Sequence, residues 1–441
     1  MSSRRPVEQG LGWLYDQVTG EEDARVCKEI PDEACADQPR NFFAYLLANV
    51  LNKISDELVS ARLTLPWLFS ILGVPAAFVG FLVPIREAGV LVPQLLVAAY
   101  VRAMSKRKIV WLIGALLSAL MLFLMAFIAW QTEGMLAGWL ILICLIFYSL
   151  ARGLCSVSAK DVLGKTVSKT RRGRLMGYSA SLAGVATLVI GLVLQSDSIT
   201  RDNLQVLLVF IVVAGLLWLL ALLSFYMIAE PPGATEGGGN ALTEALRSLR
   251  LLTDDRAFQQ YVISRILLLS IALVIPFYVV LVQQQLEGQL SLLGWLIVAN
   301  GLASSLSAPL IGKMADHNSR NVMAGAALLA GAVGVVTWFL TNDPVYWQLG
   351  VGSAVVLFFL ITLAHGAARL GRKVYLVDMA NNYNRAQYVA VSNTVIGIAM
   401  LLGGIIGVLA DIYNVQTVIL ILSVIAVASS LYIWRLPDVS G

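Results

Sequence analysis

The chain has 441 residues, of which 58% are hydrophobic and 13% are charged, with a formal net charge of +4. Soluble globular proteins hold roughly 45–50% apolar and about 25% charged residues, so a soluble core could not bury this many apolar side chains. Together with a mean hydropathy of +0.79, the composition excludes a soluble protein and indicates a chain that crosses a membrane several times.

The first forty residues, 1–40, are polar and contain no apolar segment that could serve as a secretory signal. We therefore predict that they form a cytoplasmic N-terminal segment. Within it, Leu11, Leu14, Tyr15 and Val18 recur at helical spacing, which predicts a short helix at the membrane surface.

Twelve apolar runs of about 20 residues follow, each long enough to cross about 30 Å of hydrocarbon as a helix. The first six lie at 42–67, 75–101, 109–130, 136–159, 176–195 and 204–229. The second six lie at 258–283, 290–311, 322–340, 347–371, 387–410 and 414–434. We therefore predict an all-α integral membrane protein of about twelve transmembrane helices. These helices form two six-helix bundles, 41–229 and 258–436.

Residues 230–257 separate the two groups and begin with the Pro- and Gly-rich stretch EPPGATEGGGN. Such a stretch can neither span nor pack, so it predicts a cytoplasmic linker. After it, Leu242, Ala245, Leu246 and Leu249 share one helical face, which predicts a short helix at the membrane surface.

Lys and Arg are concentrated on one side of the predicted spans. If the N-terminus is inside, 24 of the 31 Lys and Arg residues fall in cytoplasmic segments, and only Arg201 falls in an opposite loop. This bias predicts a multi-pass protein of the plasma (inner) membrane with both termini in the cytoplasm. The basic residues are spread over seven segments, which excludes nucleic acid as a partner.

The two groups of spans show signs of an internal repeat with an offset of 213 residues. The offset pairs Arg107, Lys160 and Arg172 with basic residues at 320, 373 and 385. It also pairs small residues, among them Ser179 with Ser392. Parallel six-helix repeats are one route to alternating access, with the substrate between the halves near the bilayer midplane.

The loop GKMADHNSRN, 312–321, carries Gly312, Asp316 and Arg320 at intervals of four residues. This spacing resembles the signature between the second and third helices of each half in the major facilitator superfamily. The resemblance implies that Asp316 and Arg320 form a cytoplasmic latch that holds the outward-facing arrangement. A contact of a few kcal/mol can bias such a two-state equilibrium.

The first-half copy of the signature is atypical. AYVRAMSKRK keeps Arg107 but has Ala99 for the Gly and Ala103 for the Asp, so a latch in this half needs another carboxylate, for which we predict Asp161. Arg152 occupies the place of an arginine common in proton-coupled members, although the residues expected after it differ. The fifth span also lacks the Gly-Pro pair of drug–proton antiporters in that superfamily.

Charged and polar residues at mid-membrane depth are costly and therefore normally face a cavity and a partner. In the first span they share one helical stripe, and Lys53 can reach Glu57 one turn away. The superfamily's cavity is lined by its first, fourth, seventh and tenth helices. The predicted substrate-binding residues are Asn49, Asn52, Lys53, Asp56, Arg62, Arg152, Arg265, Asn300, His365 and Arg369.

The charges inside the spans indicate what the cavity would bind. Six basic residues outnumber the three carboxylates, Asp56, Glu57 and Glu87, and fixed positive charge in a low-dielectric cavity attracts anions. We therefore predict an organic anion as substrate. Glu57 is predicted to carry a coupled proton, with Glu87 as a second candidate, because burial and the loss of a basic neighbour favour protonation of a carboxylate.

The function predicted from the sequence is secondary active transport of a small solute by alternating access, probably the commonest use of such a fold being set aside in favour of the residues themselves. A lipid or lysolipid flippase of the same fold, and a non-transporting membrane sensor, are the alternatives. The sequence has no Walker A pattern and no recognisable catalytic triad, so we predict no enzymatic activity. We expect a monomer in the lipid bilayer.

The few cysteines and histidines predict no further site. Cys27, Cys35, Cys144 and Cys155 lack the short paired spacing of zinc and redox motifs, and the chain has two histidines. We therefore expect no disulfide framework, no bound metal and no cofactor.

Overall fold

A computed structural model describes residues 10, 15, 17, 35, 37–91, 104–195, 203–233, 250–286, 289–306, 311–380 and 385–439, the side chains of 385 and 386 excepted. The helices of the first half are Gln38–Leu58 and Thr64–Ile71 (span 1), Ala76–Leu91 (span 2), Lys108–Gln131 (span 3), Gly134–Thr166 (span 4), Lys169–Leu194 (span 5) and Asn203–Tyr226 (span 6). Those of the second half are Arg256–Leu267 and Leu269–Gln285 (span 7), Leu290–Leu306 (span 8), Gly312–Asn342 (span 9), Val351–Met379 (span 10), Arg385–Gly403 with Val408–Ile412 (span 11) and Val415–Trp434 (span 12).

The prediction of about twelve transmembrane helices is confirmed. Within the described residues, nine helices are long and apolar enough to cross a membrane. The other three predicted spans are span 1, which is divided, span 2, whose helix is described to Leu91, and span 8, a shorter apolar helix. The predicted surface helix around 242–249 lies outside the described residues.

Spans 1 and 7 are interrupted near mid-depth. In span 1 the helix stops after Leu58, and the N–H groups of Leu63 and Leu65 both bond to the carbonyl of Ser60. The Ser60 hydroxyl also accepts from the N–H of Arg62, a local bond that competes with helical pairing. Span 7 breaks at Leu268. Such breaks are tolerated in a membrane where the backbone lines a cavity.

The two halves meet at the end of the bundle away from the 230–250 linker. We call this the far end and the opposite one the linker end. There the backbones of spans 2 and 11 are in contact, because a Cβ added to Gly80 would lie 2.5 Å from the carbonyl oxygen of Gly404 and 2.8 Å from the Cα of Gly407. Spans 5 and 8 meet in the same way, since a Cβ on Gly294 would lie 2.7 Å from the carbonyl oxygen of Gly191. We call these contacts the glycine seams.

Two features of the N-terminal region and the cysteines were not expected. Tyr15 is 3% exposed, and its hydroxyl accepts a hydrogen bond of 2.8 Å from Gln38 in span 1, so this residue packs on the bundle. The other residues of the predicted N-terminal helix lie outside the described residues. Cys35 is disulfide-bonded, so the expectation of unpaired cysteines is wrong there, whereas Cys144 and Cys155 are free and buried.

Candidate functional site

A first cavity of about 300 Å³ lies beside the break in span 1. Asp56, in the last turn of the helix before the break, forms ion pairs with Arg152 of span 4 and with Arg86 of span 2, the latter at 2.9 Å. It also accepts a hydrogen bond of 2.9 Å from the hydroxyl of Tyr148. We call these four residues the Asp56 cluster. Its carboxylate therefore balances part of the charge of two arginines inside the membrane.

Aromatic rings hold the two arginines of the Asp56 cluster in place. The guanidinium of Arg152 lies 4.8 Å from the ring centre of Trp218, and that of Arg86 lies 5.3 Å from the ring centre of Tyr148. A cation over an aromatic face is attracted by the negative potential of the ring. The indole N–H of Trp218 also donates to the Tyr148 hydroxyl at 3.4 Å. Three helices and span 6 thus fix this cluster.

A second cavity of about 500 Å³ adjoins the first, and Arg62 and Glu87 line both. These two side chains form an ion pair of 2.6 Å between the segment that interrupts span 1 and span 2. The N-half charges that face the cavities are therefore largely paired with one another. Arg62 is the residue through which the two cavities share a wall.

The second cavity collects cations from the second half. Arg265 of span 7 donates to the Ser392 hydroxyl at 2.8 Å and to Asn393 of span 11 at 3.3 and 3.4 Å. Arg369 and Arg372 of span 10 line the same cavity. Within the described part of the chain, neither of these two guanidinium groups forms a hydrogen bond or an ion pair. We call Arg265, Arg369 and Arg372 the C-half arginines.

Among the residues described as lining the second cavity, Glu87 is the one carboxylate. It is already paired with Arg62, so it does not neutralise the C-half arginines by direct contact. His365 also lines this cavity, and its Nε2 atom is buried without a hydrogen-bond partner. The site therefore carries unpaired positive charge and a free polar atom on its C-half wall.

Glu57 differs from the other two intramembrane carboxylates in its partner. It lines the first cavity and accepts a hydrogen bond of 3.3 Å from the side-chain amide of Asn300, in span 8 of the other half. Within the described residues it forms no ion pair at up to 4 Å. Glu57 thus links the two halves at mid-depth by a neutral donor.

The predicted polar stripe of span 1 does not face the cavities as a unit. Asn49 and Lys53 donate to the Ser179 hydroxyl of span 5, at 3.0 and 3.2 Å, and neither lines either cavity. Asn52 is 8% exposed and faces the bundle interior. The expected contact of Lys53 with Glu57 is not formed, because the serine of span 5 takes the ammonium group. Of the stripe, only Asp56 reaches a cavity.

The loop between spans 2 and 3 carries the predicted first-half latch. Arg107 lies 3.1 Å from Asp161 at the end of span 4, the carboxylate chosen for it from the sequence. A second acidic residue, Glu230, fixes the same loop. Its fully buried carboxylate accepts from the backbone N–H groups of Arg107 and Lys108, at 3.0 and 2.7 Å, and pairs with Lys165 at 2.9 Å.

The equivalent loop of the second half is arranged differently from the prediction. Arg320 donates to the carbonyl of Leu436 at 3.0 Å and lies 3.4 Å from the carboxylate of Asp438, not beside Asp316. Asp316 is exposed and, within the described residues, has no ion-pair partner. The helix of span 9 also includes a non-helical residue, Asn318, whose amide donates to Asp438 at 2.9 Å. The latch role of these residues stays a prediction.

Comparison with known proteins identifies the family. The sequence matches the model of the Major Facilitator Superfamily over residues 43–285 and 261–441, which together cover nearly all of the chain. The chain belongs to the Major Facilitator Superfamily. Its members are membrane transporters, which confirms the resemblance in the signature loop and makes this protein a transporter of that superfamily. Among curated proteins, none matches the sequence.

Solved structures of other superfamily members share the fold at low sequence identity. A POT family transporter crystallised with a thioalcohol-conjugated peptide superposes with a TM-score of 0.69 at 14% identity, covering 92% of this chain and 98% of the other. A D-xylose–proton symporter gives 0.67 at 15% identity, with 91% and 98% covered. A nucleoside transporter gives 0.64 at 14% identity, with 89% and 98% covered. At such identities the likeness shows the fold.

Several site residues were missed from the sequence. Arg372 was assigned to a cytoplasmic segment, although it stands one helical turn after Arg369 and lines the same cavity. Tyr148 lies one turn before Arg152, a spacing that could have placed both on one face. Glu230 and Asp438 each stand four residues beyond the last helical residue of their half, Tyr226 and Trp434, and this shared position was the available signal.

Proposed function

We propose that this superfamily transporter carries an organic anion, which binds through the C-half arginines in the second cavity. One observation carries the proposal: Arg369 and Arg372 face a shared cavity in the membrane and form no ion pair within the described residues. A cation left unpaired in a low-dielectric cavity is costly, and a bound anion would remove that cost. The Asp56 cluster is already balanced by its own carboxylate, so it has less to gain from an anion.

Proton coupling through Glu57 is the second part of the proposal. If a monoanion binds at the C-half arginines while Glu57 takes up a proton, the loaded site has the same net charge as the empty site with Glu57 ionised. Moving unequal charge through the membrane would add an electrostatic cost, so this balance favours symport. Glu57 is the candidate because Asp56 and Glu87 are both held by arginines.

The direction of access follows from the two ends of the molecule. The glycine seams bring the halves into backbone contact at the far end. If the linker end is cytoplasmic, as the distribution of Lys and Arg predicts, the cavities are reached from the cytoplasm in this conformation. An alternating-access cycle would then separate the seams and close the linker end.

The site is tested by measuring anion binding to the purified protein in nanodiscs, with radiolabelled octanoate as the probe. Arg369→Gln and Arg372→Gln should each weaken binding at least tenfold, because each removes one unpaired cation from the cavity. Lys313→Gln removes the same charge from an exposed position on span 9 and serves as the matched control. It should leave binding unchanged.

Equal weakening by all three variants would show that the anion responds to overall charge and would contradict the assigned site. No weakening in either arginine variant, with both folded as judged by their melting temperatures, would reject the organic-anion proposal. Coupling is tested separately in liposomes. Glu57→Gln should retain exchange of labelled anion but lose accumulation driven by a pH gradient, which for one proton per anion is tenfold per pH unit.

A further inference from the structure

The second cavity has two walls of different chemistry. Span 10 supplies cations, whereas spans 7 and 11 supply a continuous apolar surface. This apolar wall consists of Leu268, Leu269 and Ala272 of span 7 and Ile396 and Met400 of span 11. A site for a small, fully hydrated anion would not need such a wall, because apolar surface contributes only when it is removed from water.

The apolar wall is enclosed by protein. Each of its five side chains is at most 5% exposed, although all of them line a cavity of about 500 Å³. That volume lies within the range of pockets that hold small organic ligands. The wall therefore belongs to the cavity and is distinct from the exposed apolar surface that faces lipid.

The position of the wall relative to the cations follows from helix geometry. In span 7, Leu269 and Ala272 follow Arg265 by four and seven residues, so they lie one and two turns farther from the linker end. In span 11, Ile396 and Met400 follow Asn393 by three and seven residues in the same direction. The wall thus extends about 10 Å beyond Arg265 toward the far end.

We infer that the substrate is an amphipathic anion, whose acidic group binds Arg369 and Arg372 and whose apolar part packs against the wall of spans 7 and 11. This inference rests on the anion site proposed above. A chain of roughly eight carbons, or a ring of similar length, matches a depth of about 10 Å. A sugar or another polyhydroxylated solute would leave hydroxyl groups unpaired against the wall, which is unfavourable.

A series of straight-chain carboxylates tests the inference. Binding of acetate, butanoate, hexanoate, octanoate, decanoate and dodecanoate is measured by equilibrium dialysis against the full-length protein in nanodiscs, with the signal of protein-free nanodiscs subtracted. Affinity should rise up to about fourfold per added methylene, the equivalent of about 0.8 kcal/mol. It should level off at about eight carbons, where the wall ends.

Two variants separate this inference from the anion site itself. Ala272→Leu fills the deep end of the wall, so it should weaken octanoate at least fivefold and leave butanoate unchanged. Ala428→Leu makes the same change at an exposed position on span 12 and should affect neither. Arg369→Gln should weaken every member of the series by the same factor, since all share the carboxylate.

The outcomes are distinguishable. Affinity that is independent of chain length, with Arg369→Gln still weakening binding, would overturn the amphipathic substrate and leave the anion site standing. Affinity that keeps rising through dodecanoate, equally in Ala272→Leu, would also overturn it and would point to a long-chain lipid. Loss of chain-length dependence for longer members in Ala272→Leu alone would support it. No effect of Arg369→Gln on any member would reject the anion site as well.

Discussion

In the first half of the molecule Asp56 lies between two arginines, whereas the equivalent position in the second half, 213 residues later, is Leu269. Arg152 likewise corresponds to His365, and Glu57 to Ser270. The same helices of the two halves thus reach the cavity with different side chains. The first half balances its own charge, and the second half leaves its cations for a ligand.

One polar contact is shared by the two halves and shows that they descend from a common arrangement. Lys53 of span 1 donates to Ser179 of span 5, and Arg265 of span 7 donates to Ser392 of span 11. The two serines are separated by the repeat offset, and the two cations by one residue less. The difference between the halves therefore lies in the carboxylates, which the second half lacks at this depth among the described residues that line the cavities.

The largest effect on stability is expected at the buried carboxylate that follows span 6. Glu230→Gln should lower the free energy of unfolding by about 3–5 kcal/mol, because Lys165 loses its buried partner and two backbone N–H groups lose a charged acceptor. Asp438→Asn is the counterpart in the second half. Its carboxylate is 41% exposed, so it should cost less than about 1 kcal/mol.

Denaturation of both variants in one detergent measures this difference. Equal losses of stability would mean that the two halves anchor their loops with the same strength, contrary to the burial of the two carboxylates.

A somewhat smaller effect is expected at the Asp56 cluster. Asp56→Asn should destabilise the protein by about 3 kcal/mol, the lower end of the range for a buried pair, since the carboxylate is 23% exposed to the cavity. Transport should also be lost, because Arg86 and Arg152 would then compete for the anion. Leu269→Met, at the equivalent position, should cost below about 1.5 kcal/mol. An Asp56→Asn protein with wild-type melting and transport would break the comparison.

The glycine seams allow a conformational test with little cost in overall stability. Gly80→Val should favour separation of the far end, because the added side chain meets the backbone of Gly404 and Gly407. We expect faster labelling of a cysteine placed at Gln283, a residue 7% exposed whose amide donates to the Trp67 carbonyl at 3.4 Å. Gly177→Val, where a Cβ meets nothing within 4 Å, is the control. Identical labelling rates would show that the seam does not determine closure.

The smallest expected effect is at the start of span 7, outside the membrane. Burial alone would raise the pKa of Asp255, but hydrogen bonds from the Tyr388 hydroxyl and from the backbone of Phe258 and Ala257 hold it below its usual 3.8. A depressed pKa contributes stability above pH 3.8 that is lost as the pH falls below it. Asp255→Asn should cost about 1 kcal/mol as a helix cap.

The difference in melting temperature between wild type and Asp255→Asn measures this contribution. It should shrink as the pH is lowered from 6 to 3, and a constant difference over that interval would contradict the assigned role of the charge.

The fold and part of the site could be predicted from the sequence for identifiable reasons. Hydrophobic length and the excess of Lys and Arg on one side depend on local sequence, so twelve spans followed directly. Asp56 and Arg152 were recognised because charge at mid-depth is costly. Their pairing with Arg86 was not, since it depends on how three helices rotate against one another.

The errors have the same origin. Lys53 and Glu57 stand one turn apart in span 1, yet each contacts another helix, at Ser179 and Asn300. Helical spacing shows which contacts are possible within one helix and carries no information about competing partners on its neighbours. The same holds for Arg320, whose partner Asp438 lies 118 residues away.

The buried position of Glu230 has a consequence for the tether between the halves. Because its contacts, and the bond from the N–H of Gly233 to the carbonyl of Ser105 at 2.9 Å, hold the chain to the first half as far as residue 233, the free length begins there and ends at Arg250. Seventeen residue steps could span at most about 60 Å even when fully extended. Rocking of the halves about a cavity near mid-depth demands less reach than that. The tether keeps the halves together without setting how far they open, so shortening it by several residues should leave transport intact.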